Sequence, residues 1–196
     1  VNAVNVPANA PANVPTGTIT QTSTLMRNGS SFGTIRSEAL SSSIAGHTTY
    51  RILINLDSSA RNVYTLVGTP EQILEIPAAY QVSAPFGNNI GGVDPALFSN
   101  SDSQFDSWIT LGITDGSDPN AFGNIGIDLE AWTFENGITT DNGGIFKMVP
   151  DTGPIGDDIV IAQFTIPNGA DQQTFSGLLQ GKSNEGNDWQ DEFFIT

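Results

Sequence analysis

Thr49-Tyr-Arg-Ile-Leu-Ile-Asn-Leu56 places Tyr50, Ile52, Ile54 and Leu56 on one face of an extended chain, because successive side chains of a strand point to opposite faces. The same period of two recurs on both sides of it. Asn62-Val-Tyr-Thr-Leu-Val67 and Glu71-Gln-Ile-Leu-Glu-Ile76 follow, separated by Gly68-Thr-Pro70. Upstream, Gly17-Thr-Ile-Thr-Gln-Thr-Ser-Thr-Leu25 is a Thr-laden strand whose hydroxyls suit a half-solvated pleated surface. Downstream, Asp106-Ser-Trp-Ile-Thr-Leu-Gly-Ile-Thr114 predicts a central strand with Ile109, Leu111 and Ile113 on one apolar face. Ile125-Gly-Ile-Asp-Leu-Glu-Ala-Trp132 predicts another, with Asp128, Glu130 and Trp132 opposite Ile125, Ile127, Leu129 and Ala131. Residues 144–149, 158–166, 174–179 and 189–195 complete the set.

Turn signals separate nearly every pair: Asn28-Gly29, Asp115-Gly116, Asn136-Gly137, Asn142-Gly143, Asp151-Thr-Gly153 and Asn168-Gly169. Short strands at this spacing specify an all-β chain, an antiparallel β-sandwich of jelly-roll or immunoglobulin-like type. Residues 38–44 are the one segment expected to form a helical turn or two. Residues 84–106 lack periodicity and read as the longest loop.

Ahead of this body stands Val1-Asn-Ala-Val-Asn-Val-Pro-Ala-Asn-Ala-Pro-Ala-Asn-Val-Pro-Thr16. Pro7, Pro11 and Pro15 exclude an α-helix, since each ring removes a donor and fixes φ. The stretch carries no charge and is rich in Ala and Val, unlike a solvating disordered tail. It reads as an extended arm, residues 1–16, on a β-sandwich domain, residues 17–196. Val1, Val4, Val6 and Val14 are the expected contacts with another subunit. Folding back on its own body would satisfy the same side chains.

With 196 residues, one domain and one core are expected. The net charge of −15, with six basic residues against twenty-one acidic ones, argues against nucleic acid or an anionic membrane as partner. No cysteine is present, which removes disulfides and thiolate metal sites. No apolar run approaches the ~18 residues of a membrane span. The first residue is Val rather than Met, consistent with a leader having been removed. Few lysines, abundant Thr, Ser, Asn and Gly, and a pI near 4.1 read as a secreted, extracellular protein.

Three blocks carry a resemblance: Pro77-Ala-Ala-Tyr-Gln-Val-Ser-Ala-Pro-Phe-Gly-Asn-Asn-Ile-Gly-Gly92, Phe105-Asp-Ser-Trp-Ile-Thr-Leu-Gly112, and the Ile125–Trp132 run quoted above. Together they resemble uncharacterised secreted all-β modules found in extracellular proteins of microalgae and aquatic bacteria. The resemblance spans residues 60–180. It implies secretion and placement at a surface or in a matrix, and it brings no catalytic residues with it.

Few side chains suggest chemistry. In Asp115-Gly-Ser-Asp-Pro-Asn120, the oxygens of Asp115, Ser117, Asp118 and Asn120 are of the kind that wrap Ca²⁺ in extracellular loops. The EF-hand spacing fails, because the twelfth position from Asp115 is Gly126 rather than Glu. A polar turn with Asx caps accounts for the same residues. Residues 184–192 form a second acidic cluster that a solvated loop explains equally. Asp128 and Glu130 make a carboxylate pair of the sort glycosidases use, although an exposed acidic strand face explains them too. His47 is the sole histidine, so a Ser-His-Asp triad rests on it alone, and no Gly-x-Ser-x-Gly elbow accompanies it. Trp108, Trp132, Trp189, Tyr80 and Phe86 are candidates for stacking on sugars, against the commoner fate of core aromatics. Asn28 heads the lone N-glycosylation sequon. The reading favoured by these features is an extracellular structural protein rather than an enzyme. It would be a subunit of a filament, sheath or matrix that assembles with itself through the arm. The alternative is a carbohydrate-binding or adhesion module, assisted by calcium.

Overall fold

The computed structural model describes residues 18–27, 30–99, 102–170 and 173–196. The arm of residues 1–16, with Val1, Val4, Val6 and Val14, and the sequon residue Asn28 lie outside the described residues. The strands are β1 (Thr18–Arg27), β2 (Ser30–Leu40), β3 (His47–Leu56), β4 (Ala60–Gly68), β5 (Leu74–Ile76), β6 (Trp108–Ile109), β7 (Phe122–Ile125), β8 (Ile138–Thr140), β9 (Gly143–Lys147), β10 (Ile159–Pro167), β11 (Phe175–Ser183) and β12 (Asp188–Ile195). Short 3-10 turns lie at Pro95–Leu97, Asp102–Phe105, Leu129–Ala131 and Pro150–Thr152. No α-helix occurs among the described residues.

Two antiparallel sheets pack together as a β-sandwich. One has the order β6-β10-β3-β2-β1; the other has β12-β11-β4-β9-β7, with β5 on β11 and β8 on β5. They meet at a seam, where β1 pairs with β12 through Met26 and Glu192. β3 lies within its sheet, and its alternation buries Ile52, Ile54 and Leu56 toward the core. Inside, Phe164 of the first sheet meets Phe175 of the second edge-on, with ring centroids 5.0 Å apart, and Phe175 leans on Phe193 at 4.8 Å. Near the seam, Phe32 stacks on Trp189 at 5.1 Å and nearly parallel. Trp189 in turn covers Gly181 of the neighbouring strand, where a Cβ would fall 2.5 Å from the indole.

Three expectations are corrected by the fold. Residues 38–44 form no helical turn; residues 38–40 finish β2, paired with residues 49–51 of β3. The run expected as a central strand from Trp108 to Ile113 is a two-residue strand at the end of its sheet. It is nevertheless buried, because the chain at Asn89–Gly91 takes the side opposite β10: Ile109 N–H donates to Asn89 O and Gly91 N–H to Ile109 O. The Ile125–Trp132 run stops being a strand at Ile125. Gly126 adopts φ +68 where a Cβ would lie 2.3 Å from the Asn142 carbonyl, a turn that favours glycine. Asp128 then caps the 3-10 turn Leu129–Ala131.

Leu111, 1% exposed, belongs to the core despite lying past the end of β6. Leu111→Ala is expected to cost about 2–5 kcal/mol, as core truncations do. Urea denaturation checks this, and a change within error would place the side chain outside the core.

Candidate functional site: a neutral cleft at the open seam

β1 holds β2 from Thr18 through Arg27, with register shifts between Ile19 and Gln21 and between Leu25 and Arg27. Its other edge meets β12 at the single position Met26. Away from that point the two sheets part. The Gln21 side-chain oxygen accepts the Thr196 N–H at 3.0 Å, so a side chain spans the gap that a strand ladder closes elsewhere. The Thr20 hydroxyl lies 3.1 Å from the Ser37 hydroxyl and 3.2 Å from the Ser37 carbonyl oxygen.

The parted sheets leave a cleft of about 470 Å³. Phe164, Phe175 and Ile195 form an apolar floor, and Tyr50, Asn168 and Gln173 stand around it. Among the described residues that line it, no side chain is charged. In a chain of twenty-one carboxylates that is a distinctive surface. The described polar groups on its wall include the hydroxyls of Thr20, Ser37 and Tyr50 and the amides of Gln21, Asn168 and Gln173.

A second cavity of about 550 Å³ lies between residues 81–90 and the turn Leu129–Ala131. Its shape depends on Asp106, whose carboxylate is fully buried. One oxygen accepts Val82 N–H and the other Asn88 N–H, each at 2.8 Å. Burial pushes this carboxyl up to about 6, against the opposing pull of backbone N–H groups from Val82, Asn88 and Ser107. Those bonds pin both ends of the loop that walls the cavity. Neither atom of the Gln81 terminal amide, beside it, has a hydrogen-bond partner among the described residues.

The residues singled out from sequence are scattered. Asp115 accepts Ser117 N–H and Asp118 accepts Asn120 N–H, each at 3.1 Å, two successive Asx turns. Asp118 also lies near Lys147, whose pKa burial lowers while the aspartate charge raises it. Among the described residues no three acidic or histidine side chains gather as a metal group would. Asp128 and Glu130 share a turn rather than a strand face, with Glu130 N–H donating to Asp128. His47 Nδ1 lies 2.8 Å from the Ala45 carbonyl oxygen, and its ring neighbours Tyr80 and Phe134. The three tryptophans are core residues, and Trp132 donates its indole N–H to Pro77 O. Phe86 alone of the proposed stacking aromatics is broadly exposed. In the 184–192 cluster, Asp188 pairs with Lys182 at 2.7 Å and accepts the Tyr64 hydroxyl at 2.7 Å. The phenol is pushed up to about 12, by burial first and then by that aspartate.

Sequence reading missed the cleft altogether, because its walls come from both ends of the chain and the middle. It also passed over Asp106, although a carboxylate set between Phe105 and Ser107-Trp108 was a signal that it is held by something. Among the described residues no helix is long and apolar enough to cross a membrane. Compared with known proteins, the chain matches no family model, no curated protein and no solved structure.

Proposed function

We propose that this chain is an extracellular structural subunit, which assembles head to tail into a filament, sheath or matrix through residues 1–16. The observation that carries the reading is the open edge of β1: among the described residues it is paired along β2 but meets β12 at one position only. An extended segment added to such an edge gains main-chain hydrogen bonds, and alternate side chains set its register. Proline cannot donate to a ladder, so continuous pairing is limited to short stretches such as residues 1–6, and a polyproline II arm packed in a groove is the other physical form of the contact. A contact between an arm and a different surface is heterologous and need not close, so it propagates. Low lysine content and acidic pI support the extracellular placement, as does the resemblance to secreted modules.

Deleting residues 1–16 tests the reading. The full chain is expected to form concentration-dependent polymers in analytical ultracentrifugation and negative-stain microscopy. The shortened chain is expected to remain a monomer with an unchanged melting temperature. Unchanged assembly, or a monomer that melts much earlier, would overturn it.

A further inference from the structure

We infer that the cavity between residues 81–90 and the turn Leu129–Ala131 is a binding site for a neutral saccharide, a hydroxyl-rich ring without charge. The inference does not depend on how copies of the chain assemble.

The amide of Gln81 is the first observation. Gln81 lines the cavity, and its Nε2 and Oε1 are both buried with no hydrogen-bond partner among the described residues. Leaving a buried amide unpaired is costly, so a donor and an acceptor on this wall both lack a partner. One sugar hydroxyl offers both functions through a single oxygen. The terminal torsion of Gln is soft, so the amide turns to meet a ligand at little cost. The cavity, at about 550 Å³, far exceeds what a bridging water needs. It falls within the ~300–1,000 Å³ of small-molecule sites.

Lining chemistry sets the ligand class. Glu130 is the only charged side chain among the described lining residues, and none is basic. An anionic ligand would meet a carboxylate and no cation, in a chain of net charge −15. Phe122 already carries the Lys147 ammonium 4.8 Å from its ring centroid, so a cation stacked there would meet a like charge. A neutral ring meets neither obstacle. Ile90, Phe122 and Leu129 are half-buried and give its C–H face apolar surface, while the exposed Glu130 carboxylate accepts from its hydroxyls.

The backbone of the walls is engaged, which turns away a peptide. Val82 and Asn88 N–H donate to Asp106, Ile90 N–H to the Asn88 side chain, and Thr133 N–H to Asn136 O. Asn89 O accepts Ile109 N–H, and the Asn89 side chain ties one wall to the other by donating to Leu129 O at 3.0 Å. An extended peptide needs an open run of main-chain donors and acceptors. Side chains are left to recognise the ligand, on walls already held in place, and that lowers the ordering cost of binding.

An array of neutral, uronic and sulfated oligosaccharides, printed beside a library of uncharged peptides, tests the inference on the full chain. The chain is expected to retain neutral sugars and to pass over the others. The best-retained neutral oligosaccharide is then titrated calorimetrically into Gln81→Leu, Glu130→Ala and, on the β11–β12 loop, Glu185→Ala. Each cavity variant is expected to bind about 10-fold more weakly, with Glu185→Ala unchanged. Circular dichroism confirms folding; Glu130 is exposed, so its variant carries the test if Gln81→Leu does not fold. Retention of no neutral sugar, or stronger retention of acidic sugars or peptides, would overturn the inference. So would undiminished binding by either folded cavity variant, since the sugar would then sit elsewhere.

Discussion

An Asp106→Ala chain is expected to lose about 3–5 kcal/mol of folding free energy, because the backbone N–H groups of Val82, Asn88 and Ser107 each lose a buried acceptor at about 1–3 kcal/mol. The loss falls short of the full sum since truncation also removes a carboxylate that was itself costly to bury. Val82 and Asn88, which that carboxylate holds at 2.8 Å, lie at the two ends of the loop walling the second cavity. Hydrogen exchange in residues 82–92 is therefore expected to rise more than elsewhere. The same group gives a pH signature. Its carboxyl is pushed up to about 6 by burial, whereas an unfolded aspartate titrates near 3.9. The folded chain then binds the proton more tightly, so this residue's contribution to stability is fullest below about pH 4 and is lost as pH rises through about 6. The span is about 3 kcal/mol. Asp106→Asn is expected to remove that slope. Urea denaturation of both chains at several pH values between 4 and 7 checks it, and parallel slopes would show that Asp106 does not titrate there.

Phe175→Ala is expected to cost about 3–5 kcal/mol, the range for truncating a core aromatic. Phe175 is 2% exposed and bridges the sheets, with its ring against Phe164 on one side and Phe193 on the other. Phe175→Leu retains most of the volume and is expected to cost about 1.5 kcal/mol or less. Chemical denaturation distinguishes the two variants, and a small loss for Ala would mean that the sheets close over the gap without the ring.

What the sequence by itself determined was the class of fold and most of its long strands. Residues 49–56, 62–67, 159–166 and 189–195 read as strands from their own pattern, and all lie within strands. Alternation is a local property: a residue's face follows from its neighbours' positions along the chain. The failures have tertiary causes. The Ile125–Trp132 run alternates as a strand does, yet a close approach of the Asn142 carbonyl at Gly126 turns it away. The segment from Trp108 to Leu111 is as apolar as a central strand, but its burial comes from a loop laid along its edge. β2 mixes Ser, Thr and Gly with Phe32, Ile35, Arg36 and Leu40 in no clear alternation, and β1 and β3 pair with it on either side. The cleft was the least legible feature. Residues 20–21, 37, 50, 52, 164, 166–170, 173, 175 and 195–196 meet there only because the sheets join at Met26 and part beyond it. Long-range pairing decides which strand ends come together, and no local pattern encodes where two sheets separate.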